Sequence, residues 1–249
     1  VQFDIVIPVY NEAPSLVELA DEIGAVCQAG GLDVHLVFVD DGSTDGSWQA
    51  IRECQRRHGA MRVQGVRLDS NCGKSTALAV GFLFCNCDLV FTMDADLQDD
   101  PAEIPTLLAA MRSDVDLVCG WKRRRQDPFP RRVLSWGFKS LVNAVMRMDL
   151  HDHNCGFKLL RKEILPTLDM RRGRHRLITA MAASAGFDVI EVPVHHRKRK
   201  FGHSKYGAGR IFRGFWQLTQ LALETRFARR PVKISLDGDW IREQIAETI

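Results

Sequence analysis

Leu89-Val90-Phe91-Thr92-Met93-Asp94-Ala95-Asp96-Leu97-Gln98 is an apolar run that ends in two acids one residue apart. Strand side chains repeat with period two, so a strand over Leu89 to Met93 would send both carboxylates toward one side of its end. Similar apolar runs stand at Phe3 to Val9, Val34 to Val39, Arg62 to Leu68 and Leu117 to Cys119. Helix-like segments lie between them near Ser15 to Cys27, Ser47 to Arg57, Ser75 to Phe84 and Ala102 to Met111. This alternation predicts an α/β fold with a mostly parallel sheet covered by helices on both faces. Such sheets bind ligands at the carboxyl ends of their strands, which puts Asp40-Asp41 and Asp94-x-Asp96 on one rim.

Two carboxylates in that position suit a hard divalent cation. Mg²⁺ and Mn²⁺ prefer oxygen ligands, and Mg²⁺ keeps few protein carboxylates while taking other oxygens from water and phosphates. The spacing alone decides little, because Asp114-Val115-Asp116 and Asp237-Gly238-Asp239 share it without following a fully apolar strand. Those pairs read as solvated turns or caps.

The 249 residues are 45% hydrophobic, enough for a substantial core, and the net charge of +3 is too small to point to nucleic acid. Basic residues concentrate at Lys122 to Arg125, Arg131-Arg132, Arg171 to Arg176 and His195 to Lys200, a distribution suited to phosphates or an anionic membrane surface. Seven scattered cysteines with no Cys-x-x-Cys pair predict reduced thiols and a cytoplasmic setting. His151, His153 and Cys155 alternate as they would on a strand, but no fourth zinc ligand accompanies them. No signal peptide is evident. No apolar run reaches the roughly 20 residues of a spanning helix, and the longest candidate is Ser75 to Cys87.

After Trp121 a basic loop with Pro128 and Pro130 precedes a predicted helix near 132–148, and a second is predicted near 206–227. Both are rich in large apolar residues. The second sets Arg210, Arg213 and Arg226 beside them, a pattern compatible with an interfacial anchor.

Val39-Asp40-Asp41-Gly42-Ser43-Thr44-Asp45-Gly46-Ser47 imitates the start of a calcium loop, but Arg52 stands at the twelfth position, where a bidentate Glu is needed. Asp45 reads as a cap for the next helix, and Asp41 as an acceptor for a base or ribose donor. Gly73-Lys74-Ser75 resembles the end of a P-loop, but Leu68 occupies the place of its first glycine. No Gly-x-Gly-x-x-Gly follows a strand, which disfavours a dinucleotide dehydrogenase. Asn71-Cys72-Gly73-Lys74 reads as a turn into a helix.

Taken together, Ile7-Pro8-Val9-Tyr10-Asn11-Glu12, Val39-Asp40-Asp41-Gly42-Ser43, Asn71-x-Gly73-Lys74 and Asp94-Ala95-Asp96-Leu97-Gln98-Asp99-Asp100-Pro101 resemble the family 2 glycosyltransferases of GT-A fold. Asp152-His153-Asn154-Cys155-Gly156-Phe157-Lys158, His175-Arg176 and Arg199-Lys200-Phe201-Gly202-His203-Ser204-Lys205-Tyr206 narrow the likeness to the polyprenyl-phosphate branch, typified by dolichol-phosphate mannose synthase and bactoprenol glucosyltransferases. It covers about residues 3 to 230, which makes 1–230 the expected catalytic domain and 231–249 a polar tail. Relatives commonly continue past an Arg-Arg-Pro-like junction into membrane-spanning helices, whereas here Arg229-Arg230-Pro231 leads into that tail.

The resemblance implies that Pro8, Tyr10, Glu12, Val39 and Asp41 frame the nucleoside, and that Asp94, Ala95 and Asp96 meet the ribose and diphosphate. Asp96 and Gln98, with Asp94 directly or through water, would hold Mg²⁺ or Mn²⁺. Lys122 stands where many relatives have an arginine that contacts the nucleotide. Arg199 and Lys205 match a basic pair that closes over the diphosphate. Arg131 and Arg132 are acceptor-phosphate candidates, since guanidinium engages phosphate bidentately. Asp152 is the candidate for orienting the acceptor or taking a proton. The expected reaction is inverting transfer of a hexose from a nucleotide-sugar of GDP-mannose or UDP-glucose type to a polyprenyl phosphate, peripherally on the cytoplasmic face of a membrane. A hydroxyl acceptor on a glycan or protein, and a non-catalytic nucleotide-sugar-binding module that docks on membranes, are the competing readings. His195 and His196 have no evident role.

Overall fold

A computed structural model describes residues 1–59, 61–122, 140, 142–144, 148–201 and 245–249. The chain runs β1 (Gln2–Val9), α1 (Ala13–Gly30), β2 (Asp33–Asp40), α2 (Ser47–Arg57), β3 (Arg62–Leu68), α3 (Lys74–Phe82) and β4 (Leu89–Thr92). A 3₁₀ turn over Pro101–Glu103 leads into α4 (Ile104–Ala110) and β5 (Leu117–Lys122). Then come β6 (Lys158–Arg161), 3₁₀ segments over Lys162–Thr167 and Arg171–Leu177, α5 (Ile178–Ser184), β7 (Val189–Val194) and β8 (Ile245–Thr248).

The sheet order is β7-β5-β6-β4-β1-β2-β3-β8. Strand β1 pairs in parallel with both β2 and β4, so the chain winds outward through β2 and β3 and then returns to the other side of β1. That reversal opens a crevice at the carboxyl ends of β1 and β4. Strands β1 and β2 are buried almost throughout, as strands covered on both faces must be. Phe3, Phe91 and Phe157 pack in a row through the centre, Phe3 edge-on to Phe91 and Phe157 tilted against it, with ring centroids 5.1 Å and 5.8 Å apart.

Each helix covers the sheet in its own way. Helix α2 buries Ser47, Trp48, Ile51 and Cys54 and turns Arg56 and Arg57 outward in its last turn. Burying a side chain such as Ile51 is worth about 1.5–3 kcal/mol. Helix α3 is buried over Ala77 to Phe82 because it lies tightly on β1 and β2. A Cβ at Gly81 would come within 2.3 Å of the Val6 side chain, so glycine permits that approach.

Two features depart from the simple alternation. Strand β6 inserts antiparallel between β4 and β5, which would otherwise be neighbours. The alternating stretch His151 to Cys155 is a loop before this strand, not a strand itself. The end of the polar tail forms β8, antiparallel on the edge of β3, with Gly65 and Ile249 exchanging both backbone hydrogen bonds at 2.9 Å and 2.8 Å. An edge strand offers unpaired backbone groups to any available segment, so pairing outweighs the tail's modest apolarity. The stretch near 206–227 and most of that near 132–148, both expected as helices, lie outside the described residues, as do Arg131, Arg132 and Lys205. Among the described residues no helix is long and apolar enough to cross a membrane.

Candidate active site

The rim is assembled from the turns that follow β1, β2 and β4. Asn11, at φ 53°, lets the chain leave β1 sharply, and its N–H donates to Ser43 Oγ at 2.9 Å. Asn11 Oδ1 accepts from the Thr44 N–H at 2.8 Å, and the Glu12 N–H donates to Ser47 Oγ at 2.9 Å. The Asn-Glu and Asp-Gly-Ser motifs thus staple two neighbouring turns together. Asp45 accepts from the Ser47 N–H at 2.9 Å and from the Ala13 N–H at 3.2 Å, so it caps α2 from one residue before the formal N-cap and also holds α1.

Asp41 is buried, and its carboxylate accepts from the Cys72 N–H at 2.7 Å and the Gly73 N–H at 2.9 Å. Burial pushes its carboxyl up to about 6, against the pull of those two donors. Asp41 therefore clamps the Asn71 to Lys74 turn onto the rim, which sets the start of α3 beside the crevice. Gly42, at φ 67°, makes room for the same turn, since a Cβ there would come within 2.5 Å of the Ser70 backbone.

The acidic pair lies beyond β4. Asp94 contacts Lys74 Nζ, and Asp96 contacts the Arg199 guanidinium, which also stands 3.9 Å from Glu12. Leu97 holds φ 61°, uncommon for a bulky residue, and the Gln98 N–H donates back to Asp96 Oδ1 at 3.1 Å. Burial opposes charge on both acids. Lys74 and Lys122 nevertheless hold the Asp94 carboxyl below its ordinary value, whereas burial and the Asp94 charge push Asp96 up in spite of Arg199.

Asp99 organises the floor. It is buried, accepts from the Asp94 N–H at 3.2 Å and lies 3.4 Å from Lys122 Nζ. Burial disfavours the Lys122 charge, but Asp99, Asp94 and Asp152 together hold its proton above the ordinary lysine value. Lys122 thereby links the acidic pair to Asp152. That residue is buried, accepts from the Asn154 N–H at 3.0 Å, and sits in a loop tied to β7 by Glu191, which accepts from the His151 N–H at 2.7 Å.

The structure brings Pro8, Tyr10, Glu12, Val39, Asp41, Asp94, Ala95, Asp96, Gln98, Lys122, Asp152 and Arg199 to this end of the sheet or the loops beside it. It separates the histidines, because His151 contacts Glu191 while His153 bonds Thr179 at 2.9 Å and Asn143 at 2.8 Å. Lys74 and Gly156 went unread as site residues. A Cβ at Gly156 would come within 2.6 Å of Asp94 Oδ1, so the glycine in Asn154-Cys155-Gly156-Phe157 leaves space for that carboxylate.

Among the described residues no three of His, Cys, Asp and Glu close into a metal cage. Two carboxylates and one amide nevertheless fit Mg²⁺ or Mn²⁺, which complete their shells with water and diphosphate. That each carboxylate already meets a cationic side chain marks this as a place where positive charge is stabilised.

Residues 4–169 match the model of glycosyl transferase family 2. An undecaprenyl-phosphate 4-deoxy-4-formamido-L-arabinose transferase from Edwardsiella ictaluri is 36% identical over 219 residues, covering 88% of this chain and 67% of that protein. A dodecaprenyl-phosphate galacturonate synthase from Rhizobium johnstonii is 33% identical over 235 residues, covering 92% of this chain and 69% of that protein. A mannosyltransferase from Pyrobaculum calidifontis, solved with GDP-Man and Mn²⁺, superposes with a TM-score of 0.67 at 22% identity over 92% of this chain and 65% of the other. Glucosyl-3-phosphoglycerate synthase from Mycobacterium tuberculosis, solved with UDP, gives a TM-score of 0.63 at 17% identity over 94% of this chain and 88% of the other. The structural likenesses place the fold in the GT-A class.

Proposed function

Because the chain belongs to glycosyl transferase family 2 and is a glycosyltransferase, we propose that it moves a sugar from a nucleotide-sugar donor onto a polyprenyl phosphate, with inversion at the anomeric carbon. The convergence of Asp94, Asp96, Lys122 and Arg199 at the strand ends carries this reading. The acceptor class follows from the two relatives, whose names specify undecaprenyl and dodecaprenyl phosphates.

In this reading Pro8, Tyr10, Glu12, Val39 and Asp41 frame the nucleoside, and Ala95 with the acidic pair lines the diphosphate. Arg199 turns from Asp96 to the diphosphate as the donor enters, joined there by Lys205. Mg²⁺ or Mn²⁺, held by Asp96 and Gln98 with Asp94, would offset charge on the departing nucleoside diphosphate. Arg131 and Arg132 hold the acceptor phosphate. One of its oxygens bonds to the anomeric carbon as the bond from that carbon to the diphosphate breaks, and the electron pair leaves with the nucleotide. A phosphate is already anionic near neutral pH, so Asp152 orients the acceptor or takes a remaining proton rather than serving as an obligatory strong base. The stretches near 132–148 and 206–227, expected from the sequence as amphipathic helices, would bring the site to the membrane surface that carries the lipid.

The test is transfer of label from a panel of nucleotide-sugars into organic-extractable lipid, with a short polyprenyl phosphate as acceptor. The panel holds GDP-mannose, UDP-glucose and nucleotide-linked galacturonate and formamido-arabinose. Metal-dependent labelling of the lipid is expected with one donor. Transfer only to a glycan or protein hydroxyl would overturn the acceptor assignment.

A further inference from the structure

Resting on the reading of Gln98 as a metal ligand, we propose that His196 is a positioning residue that fixes which atom Gln98 presents to the metal. The segment after β7 crosses the acidic turn, where His196 and Asp99 form an antiparallel bridge and the Arg197 N–H donates to the Gln98 carbonyl at 2.9 Å. The two backbones are therefore locked together. Gln98 Nε2 lies 3.4 Å from the Arg197 carbonyl oxygen and 3.3 Å from His196 Nε2.

Chemistry settles the orientation of the amide. A carbonyl oxygen can only accept, so the atom facing Arg197 must be the amide nitrogen. Its second hydrogen points at His196 Nε2, which must then carry a lone pair, placing the ring proton on Nδ1. That nitrogen faces Asp99 Oδ1 at 3.9 Å. Asp99 is itself held by the Asp94 N–H and Lys122. With both amide hydrogens engaged, Oε1 is the atom Gln98 offers to a cation. His196 thus acts on Gln98 as an outer residue that orients a metal ligand, held in place by its backbone bridge to Asp99.

The experiment measures Mn²⁺ binding by electron paramagnetic resonance in the presence of UDP or GDP, beside nucleotide binding without metal. His196→Ala should weaken Mn²⁺ binding about 10- to 100-fold, with metal-free nucleotide affinity within about twofold of wild type. His196→Gln, whose amide oxygen can accept from Gln98, should recover most of the loss. The double variant His196→Ala/Gln98→Ala should bind Mn²⁺ no more weakly than Gln98→Ala alone. Wild-type Mn²⁺ affinity in His196→Ala, additive losses in the double variant, or a parallel loss of metal-free nucleotide binding would each overturn the proposal.

If the alanine variant does not fold, ¹⁵N spectra of the wild-type ring decide. A proton on Nδ1 supports the arrangement, and a proton on Nε2 overturns it. Asp96→Ala separates the two levels. If that variant retains Mn²⁺ affinity, the underlying metal assignment fails and takes this proposal with it. If it loses Mn²⁺ while His196→Ala does not, this proposal alone falls.

Discussion

The sheet buries carboxylates near both ends of its strands and satisfies them in opposite ways. Near the start of β1, Asp4 accepts from His35 Nδ1 at 2.7 Å and from the N–H groups of Asn86 and Cys87 at 2.8 Å and 2.7 Å. Burial alone would raise its carboxyl, but these partners hold it below the ordinary 3.8. At the other end Asp94 and Asp96 meet an ammonium and a guanidinium carried by long side chains from elsewhere in the fold. Backbone donors cannot leave without unfolding, whereas side-chain cations can rotate away. The Asp4 end is therefore closed to ligands, and the Asp94 end can exchange its counter-charges.

The sharpest break in that contrast comes from removing one acid at each end. Asp96→Ala should lower kcat/KM for sugar transfer roughly 1000-fold, since it removes an electrostatic group needed in the transition state. Stability should move by less than about 1 kcal/mol, because the deleted charge is one that burial and Asp94 already oppose. Asp4→Ala should do the reverse. Leaving buried His35 and the Asn86 and Cys87 N–H groups without their acceptor should cost about 3 kcal/mol in urea denaturation. Transfer per folded molecule should stay at the wild-type level. Loss of activity without loss of stability at Asp4 would erase the distinction between the two ends.

What the sequence revealed follows the same division. Strand β3 and helix α2 lie where their patterns put them, because each buries a regular set of side chains that local periodicity reports. The acids at the strand ends were legible for the same reason. Strand β6 was not, since Lys-Leu-Leu-Arg is too short to show a period and its place depends on the two strands it separates. Strand β8 was missed because its partner, the edge of β3, is remote in the chain. At the site, Lys74 reaching Asp94 and His196 reaching Gln98 are contacts made by the fold, and no local pattern announces them. The Gly156 signal was present, as a glycine inside a chemically loaded motif, but its meaning required knowing that Asp94 lies against it.

That packing supplies a finer test of how tightly the functional end is built. Gly156→Ala would place a methyl carbon within 2.6 Å of Asp94 Oδ1, closer than any real contact allows. The carboxylate must shift, and a displacement on the order of 1 Å at a catalytic group costs about 100-fold in rate. Steady-state kinetics should show the loss mainly in kcat/KM, with a stability cost of about 1–2 kcal/mol from overpacking. An alanine variant with wild-type kinetics would mean that the position of Asp94 is not critical.

The smallest expected effect is in the pH dependence of stability, where Asp4 and Asp41 should pull in opposite directions. Asp4 has a depressed carboxyl, so its contribution is present above 3.8 and is lost as the pH falls below that value. Asp41 is raised to about 6, so its contribution is full below 3.8 and is lost as the pH rises through about 6. Wild-type stability should therefore decline between roughly pH 4 and pH 6.5 relative to Asp41→Asn, by about 2 kcal/mol. The asparagine keeps an acceptor for the Cys72 and Gly73 N–H groups and removes only the titration. Asp4→Asn should flatten the acid limb and leave the Asp41 slope intact. Parallel pH profiles for wild type and Asp41→Asn would show that Asp41 remains ionised in the folded chain, making it a settled charge like Asp4 and moving it to the structural side of the comparison.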